Sequence, residues 1–186
     1  MDHSALNLLR LTPRDTAILA LVYFYDGIII DLIVRRFWPS PGARSACYDR
    51  VARLINAGYL RAERLPSQTG LGSGKQFLTV GPKARPILIE QYGVSPPELR
   101  HLDRDVTPLF AHHHLEICSF RLSLELAVKA TPGILLEEWV LERELRKAPR
   151  KIKDEERKTT IILVADGLFT LALSDGTVQR FALEQD

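Results

Sequence analysis

The segment FALEQD at the end of the sequence sets two carboxylates, Glu184 and Asp186, one residue apart behind an apolar run. Acids in that setting fit a metal-dependent nuclease, a degenerate copy of one, or the solvated end of an ordinary strand. A second group with chemical potential is the triple histidine His112–His114. Neighbouring residues of a helix diverge by about 100°, so the three rings do not converge, whereas a helical zinc pair needs i, i+4 spacing. His114 and Cys118 have that spacing, but two ligands without a third make a weak site. Packing or capping of the helix therefore stands beside metal binding and an interface role as explanations. The third group is GLGSG followed by Lys75. A phosphate-binding loop needs a strand before it and a helix starting at its lysine, and here Lys75 opens an apolar, strand-like stretch instead.

The elements that must position these groups begin at LTPRDTAILALVYFYDG. Thr12 as N-cap, Pro13 in the first turn and Asp15 three residues after the cap mark a helix start, and Gly27 marks its stop. IIIDLIVRRFW reads as a short second helix ending before Pro39. After the Ser40-Pro41-Gly42 break comes ARSACYDRVARLINAGYL, where Cys47, Val51, Leu54 and Ile55 form one apolar stripe and Gly58 the stop. Ser45, Asp49, Ala52, Arg53 and Asn56 then face the other way, with Tyr48 on the flank and Arg44 in the first turn. Small and polar residues on that face suit a helix entering a major groove about 12 Å wide.

YLRAERL and KQFLTV read as two strands joined by the nine-residue loop PSQTGLGSG. Three helices followed by a glycine-rich hairpin is the winged helix-turn-helix arrangement. Between Arg35 and Arg64 there are seven arginines (35, 36, 44, 50, 53, 61 and 64) against two acids, Asp49 and Glu63. The expected DNA contacts are Arg44, Ser45, Tyr48 and Arg53 from the third helix, with Arg61, Arg64 and Lys75 on phosphates from the wing.

GPKARPILIEQYG reads as a fourth helix, and VSPPELRHLDRDVTP, with three prolines in fifteen residues, as a linker. A long helix over LFAHHHLEICSFRLSLELAVKAT follows, then a strand in ILLEEWVLEREL and a mixed-charge loop in RKAPRKIKDEERK. The rest, TTIILVADGLFTLALSDGTVQRFALEQD, is extended and contains a hairpin turn at Ser174-Asp175-Gly176-Thr177. The expected organisation is α+β: a winged helix-turn-helix over 1–92, a linker over 93–108, and a helix with a small antiparallel sheet over 109–186.

Composition agrees with that organisation. A chain of 186 residues, 46% hydrophobic and 26% charged, has the make-up of a soluble globular protein. No apolar run is long enough for a membrane span, no signal peptide is legible, and the two cysteines suit buried thiols in a reducing compartment. A cytoplasmic protein is expected. Residues 1–92 carry 12 Lys/Arg against 7 Asp/Glu, and residues 93–186 carry 13 against 16. The basic half is thus the one expected to meet a polyanion.

Over nearly its whole length the chain resembles the replication-relaxation family of plasmid and mobile-element proteins, through LTPRDTAIL, ARSACYDRVARLINAGYLRAERL, LTVGPKA, the HHHLEI helix, VADG and FALEQD. That resemblance implies a winged helix joined to a C-terminal domain and a part in plasmid copy control and replication. The C-terminal pattern is in turn similar to a truncated restriction-endonuclease-like fold. There Asp166 matches the aspartate that starts one strand and Glu184 the acid of the next, while Asp186 takes the place of a lysine and Ala165 that of a proline. Nuclease chemistry on that scaffold needs two carboxylates for Mg²⁺ and a cation to polarise the attacking water. Asp186 adds negative charge where positive charge is needed.

The expectation is accordingly a non-enzymatic DNA-binding protein without a cofactor, acting on double-stranded DNA in replication control or transcriptional regulation. The alternatives are a Mg²⁺-dependent nickase or nuclease using Asp166 and Glu184, with Asp186 helping to hold the metal, and a protein-interaction module. A homodimer is expected because helix-turn-helix proteins commonly bind paired half-sites, and an unpaired last strand offers an edge for strand addition.

Overall fold

The computed structural model describes residues 9–65, 74–103, 108–147, 149–154 and 159–185. Helices and small antiparallel sheets make an α+β chain that divides into two compact units between Leu115 and Glu116.

The first unit opens with α1, Pro13–Phe24, whose start is fixed locally. The Thr12 hydroxyl accepts the Asp15 N–H at 3.3 Å, while the Asp15 carboxylate accepts the Thr12 N–H at 2.6 Å, so two otherwise orphaned donors are satisfied reciprocally. Asp26 and Gly27 end the helix with positive φ. At Gly27 a Cβ would lie 2.3 Å from the Phe77 ring, so both the backbone conformation and the close approach require glycine.

The stretch expected as a single second helix is divided. Ile28–Ile29 form a short strand, β1, and α2 runs over Ile30–Phe37. Ile28 and Ile29 pair with Leu78 and Phe77, which draws the two isoleucines out of the helix, and both are buried. α3, Arg44–Asn56, follows and ends in a Schellman closure. The Tyr59 N–H reaches the Leu54 carbonyl and the Gly58 N–H the Ile55 carbonyl, with Gly58 at φ 80°. β2 (Leu60–Arg64) and β3 (Gln76–Val80) are antiparallel, giving the sheet order β1-β3-β2. Ile18, Leu19, Val22, Ile33, Val51, Leu54, Leu60 and Leu78 form the core between these helices and the sheet.

α4, Arg85–Tyr92, ends at Gly93 in the left-handed conformation. Residues 93–108, expected as a linker, include a 3-10 helix over Pro96–Asp103. The Ser95 hydroxyl and N–H both donate to the Glu98 carboxylate, at 2.5 and 2.8 Å, and Val94 and Leu99 are buried on either side. Prolines here start a turn that is capped and anchored by apolar side chains, which is why the sequence lacks longer periodicity.

α5, Pro108–Ala130, begins in the first unit and continues into the second. The second unit then holds β4 (Ile134–Leu141), a one-turn helix α6 (Glu142–Leu145), and the strands β5 (Arg150–Asp154), β6 (Thr159–Leu163), β7 (Gly167–Leu173) and β8 (Val178–Leu183). One sheet has the order β4-β7-β8, and β5 and β6 pair with each other. The mixed-charge stretch expected to be a loop therefore contains β5, a strand specified by its partner rather than by its own apolar residues. The turn expected at 174–177 connects β7 and β8, with Gly176 at φ 84° and the Asp175 carboxylate accepting the Thr177 N–H at 2.8 Å.

Candidate nucleic-acid interface

α3 buries Cys47, Val51 and Leu54 and leaves Arg44, Ser45, Tyr48, Asp49, Ala52, Arg53 and Asn56 exposed. The stripe thus fixes which side of the helix meets solvent, and the outward side carries small, polar and cationic residues. Arg61 and Arg64 are exposed on β2, and Lys75 is exposed immediately before β3. The Leu65 N–H donates to the Lys75 carbonyl at 2.9 Å, holding the two strands together beyond Arg64. The expected wing tip, residues 66–73, lies outside the described residues.

The seven arginines separate into different kinds. Arg50 belongs to the fold: its guanidinium holds Asp15, which is 1% exposed, through Nε at 2.7 Å and Nη2 at 2.5 Å, and also donates to the Arg10 carbonyl. Burial pushes the Asp15 carboxyl pKa up, but hydrogen bonds from Arg50 and Thr12 outweigh that and hold it below the ordinary carboxylate value. The same aspartate therefore caps α1 and ties it to α3.

Arg44 is braced at the surface. Its Nη2 donates to Asp31 Oδ1 at 2.5 Å and to the Tyr48 hydroxyl at 2.9 Å, and its guanidinium stands 5.3 Å from the centre of the Tyr48 ring. Tyr48 in turn donates to Asp31 at 3.2 Å. Two of the expected DNA contacts are thus joined by an acid on α2 that the sequence did not single out. The hint is an acid in the first turn of α2 that takes no part in the helix's apolar stripe. Arg14 lies over the Trp38 ring at 4.7 Å, another cation in this unit that the count from Arg35 to Arg64 leaves out. For the side chains of Arg53, Arg61 and Arg64, no hydrogen bond or ion pair occurs among the described residues.

Cys47 beneath this face is completely buried, and its thiol pKa is pushed up to about 11 by that burial. It is a packing residue with no thiolate at neutral pH.

The histidine cluster divides in the same way. His114 is 7% exposed, packs edge-on to Phe77 with ring centres 6.2 Å apart, and its Nε2 lies 3.0 Å from the Gly27 carbonyl. A carbonyl only accepts, so His114 carries a proton on Nε2. This ties α5 to the turn after α1, while His112 and His113 are half-buried.

The acids of the second unit are placed by the β7–β8 hairpin. Asp166 directly precedes β7; its N–H donates to the Leu183 carbonyl at 3.0 Å, and its Oδ2 accepts the Gln185 N–H at 2.8 Å. The carboxylate therefore closes the open end of the hairpin. Glu184 is exposed just past β8, and Asp186 lies outside the described residues. Among the described residues, no group of three or more His, Cys, Asp or Glu side chains is arranged to hold a metal ion, and no helix is long and apolar enough to cross a membrane. No family model matches the sequence, and neither a curated protein nor a solved structure matches the chain.

Proposed function

We propose that the chain is a DNA-binding protein acting through a winged helix, with α3 as the recognition helix and the β2–β3 hairpin as the wing. The observation that carries this reading is the outward face of α3, where Arg44, Ser45, Ala52, Arg53 and Asn56 are exposed with Tyr48 and one acid, Asp49, while Cys47, Val51 and Leu54 on the opposite side are enclosed. The order α1-β1-α2-α3-β2-β3 and the sheet order β1-β3-β2 support it, because they place a cationic hairpin directly after that helix. An α-helix with its side chains is about 10–12 Å wide, matching the major groove. On this reading Arg53 and Ser45 reach base edges, Arg44 and Tyr48 act as a braced pair at the start of the helix, and Arg61, Arg64 and Lys75 neutralise phosphates. A role in replication control or transcriptional regulation of a plasmid or mobile element follows from the sequence resemblance and is proposed on that ground.

Fluorescence anisotropy with a mixed-sequence duplex, measured against salt concentration, tests the reading. Arg61→Ala with Arg64→Ala should weaken binding to all duplexes alike and lower the slope of log K against log salt by about 2. Arg53→Ala should relax preference within a site selected from a random pool. Affinity that ignores substitutions on α3 and β2 at low salt would sink the assignment.

A further inference from the structure

The β4-β7-β8 sheet has two faces of opposite character. Strand alternation and register place Trp139, Phe169 and Phe181 side by side on one face. Trp139 stacks on Phe169 at 5.6 Å, Phe169 on Phe181 at 4.9 Å, and Phe120 of α5 covers Phe169 at 5.9 Å. The other face has three levels, each running from β4 across β7 to β8. They are Leu135-Ala172-Val178, Glu138-Thr170-Arg180 and Val140-Leu168-Ala182. Leu135 is 66% exposed, Val178 56% and Leu168 36%, so water covers apolar side chains at both ends of a polar middle row. In that row the Thr170 hydroxyl lies 3.5 Å from the Glu138 carboxylate, and both Glu138 and Arg180 are exposed.

We infer that this face pairs with the same face of a second copy of the chain, about a two-fold axis parallel to the strands and above β7. Charge complementarity selects both the occupant and the axis. A rotation about that axis keeps every residue at its level along the strand and exchanges the positions of β4 and β8. Glu138 then meets the partner's Arg180 and Arg180 meets the partner's Glu138, Leu135 meets the partner's Val178, and the β7 residues meet their own copies. A two-fold perpendicular to the strands through the same centre would instead set Glu138 against Glu138 and Arg180 against Arg180, and like charges in contact are costly. One patch carrying both signs at matched levels is what a self-complementary interface requires.

Aligned sheets pack about 10 Å apart with their side chains interdigitated, and the small residues Ala172 and Ala182 leave room beside the exposed Leu135 and Leu168, while Thr170 between Glu138 and Arg180 is already buried. Three strands over about six residues give a footprint about 14 Å wide and about 20 Å long, roughly 280 Å² per copy, which is smaller than a stable specific interface needs. The dimer is accordingly a weak, transient one. The inference stands apart from the DNA-binding reading, although a dimer would match two half-sites.

Sedimentation equilibrium of the whole chain without DNA, from micromolar to about millimolar concentration, tests it. Glu138→Arg alone and Arg180→Glu alone should each raise the dissociation constant at least tenfold, and the two together should return it to within about threefold of the parent. Val178→Lys, at a position mostly in water and therefore safe for folding, should also abolish dimerisation. A chain that stays monomeric throughout overturns the proposal, as does a dimer that ignores the single charge reversals. Pairing through the free edge of β8 would show itself as indifference to Glu138→Arg, since β4 is at the far edge of the sheet. A dimer obeying these rules beside failed DNA binding would leave this inference standing and remove the functional one.

Discussion

The two units of the chain reach stability by different routes. The first encloses a shared core and fastens its helices to one another with polar contacts distant in sequence, such as Asp15 with Arg50 and Gly27 with His114. Among the described residues, the second encloses few side chains beyond α5. It relies on an aromatic stack across three strands and leaves apolar side chains of the opposite sheet face in water. A unit whose polar groups are committed internally presents its surface ready-made, whereas one with an uncovered sheet face has association still available to it. On the proposed readings, recognition would fall to the first unit and pairing to the second.

The largest test of the contrast is Arg50→Ala. It leaves Asp15 buried without its counter-ion; because Arg50 is 20% exposed and Thr12 still donates to Asp15, the cost falls at the lower end of the range of about 3–5 kcal/mol for breaking a buried pair. Thermal or urea unfolding followed through Trp38 should show that loss. The same pair sets an acid limit. The folded pKa of Asp15 lies below its ordinary 3.8, so its contribution is complete above the usual carboxylate range and disappears as pH falls through the lowered folded value. Asp15→Asn should remove that acid limb from the stability profile. If neither substitution changes stability, the first unit is not fastened through this pair.

Phe169→Ala probes the other route. It takes away the middle ring of the stack, and a loss of about 2–3 kcal/mol is expected, less than for a fully enclosed phenylalanine because Phe181 beside it is 37% exposed. The chain's two tryptophans sort the effect, since Trp38 lies in the first unit and Trp139 in the stack. With Trp38→Phe as background, the emission of Trp139 should shift on Phe169→Ala. With Trp139→Phe as background, the Trp38 emission should stay unchanged. A shift in both would mean that the units do not keep their stabilities separate.

Thr12→Ala is smaller, about 1 kcal/mol, because it removes one half of a capping box and leaves the Arg50 contact in place. It also marks what the sequence could reveal. Thr12-Pro13-Asp15, the Cys47-Val51-Leu54 stripe, Gly58 and the 174–177 turn are all written within a few residues of where they act, and local geometry makes them legible. The candidate interface is only half legible for the same reason. The outward face of α3 follows from its stripe, but counting arginines does not separate Arg50, committed to a residue 35 positions away, from Arg53 beside it. β5 is hidden likewise, since a strand rich in charge is specified by pairing with β6 and carries no apolar alternation of its own.

The smallest expected effect concerns Asp31, and it tests whether the first unit's surface is ready-made or restrained. Asp31 engages both Arg44 and Tyr48 while lying in the open, with side chains 44% and 60% exposed for the Asp31–Arg44 pair. Such exposed pairs contribute about 0–1 kcal/mol, so Asp31→Asn should leave the unfolding midpoint nearly unchanged. The charge it removes stands next to the start of α3, where a phosphate or base edge would compete for the same guanidinium. If α3 enters a groove, Asp31→Asn should tighten binding about two- to fivefold at low salt, with the gain fading as salt screens the interaction. Weakened binding at unchanged stability would give Asp31 the opposite role: it would be holding Arg44 in the geometry that DNA requires, with rigidity outweighing repulsion at this edge of the helix.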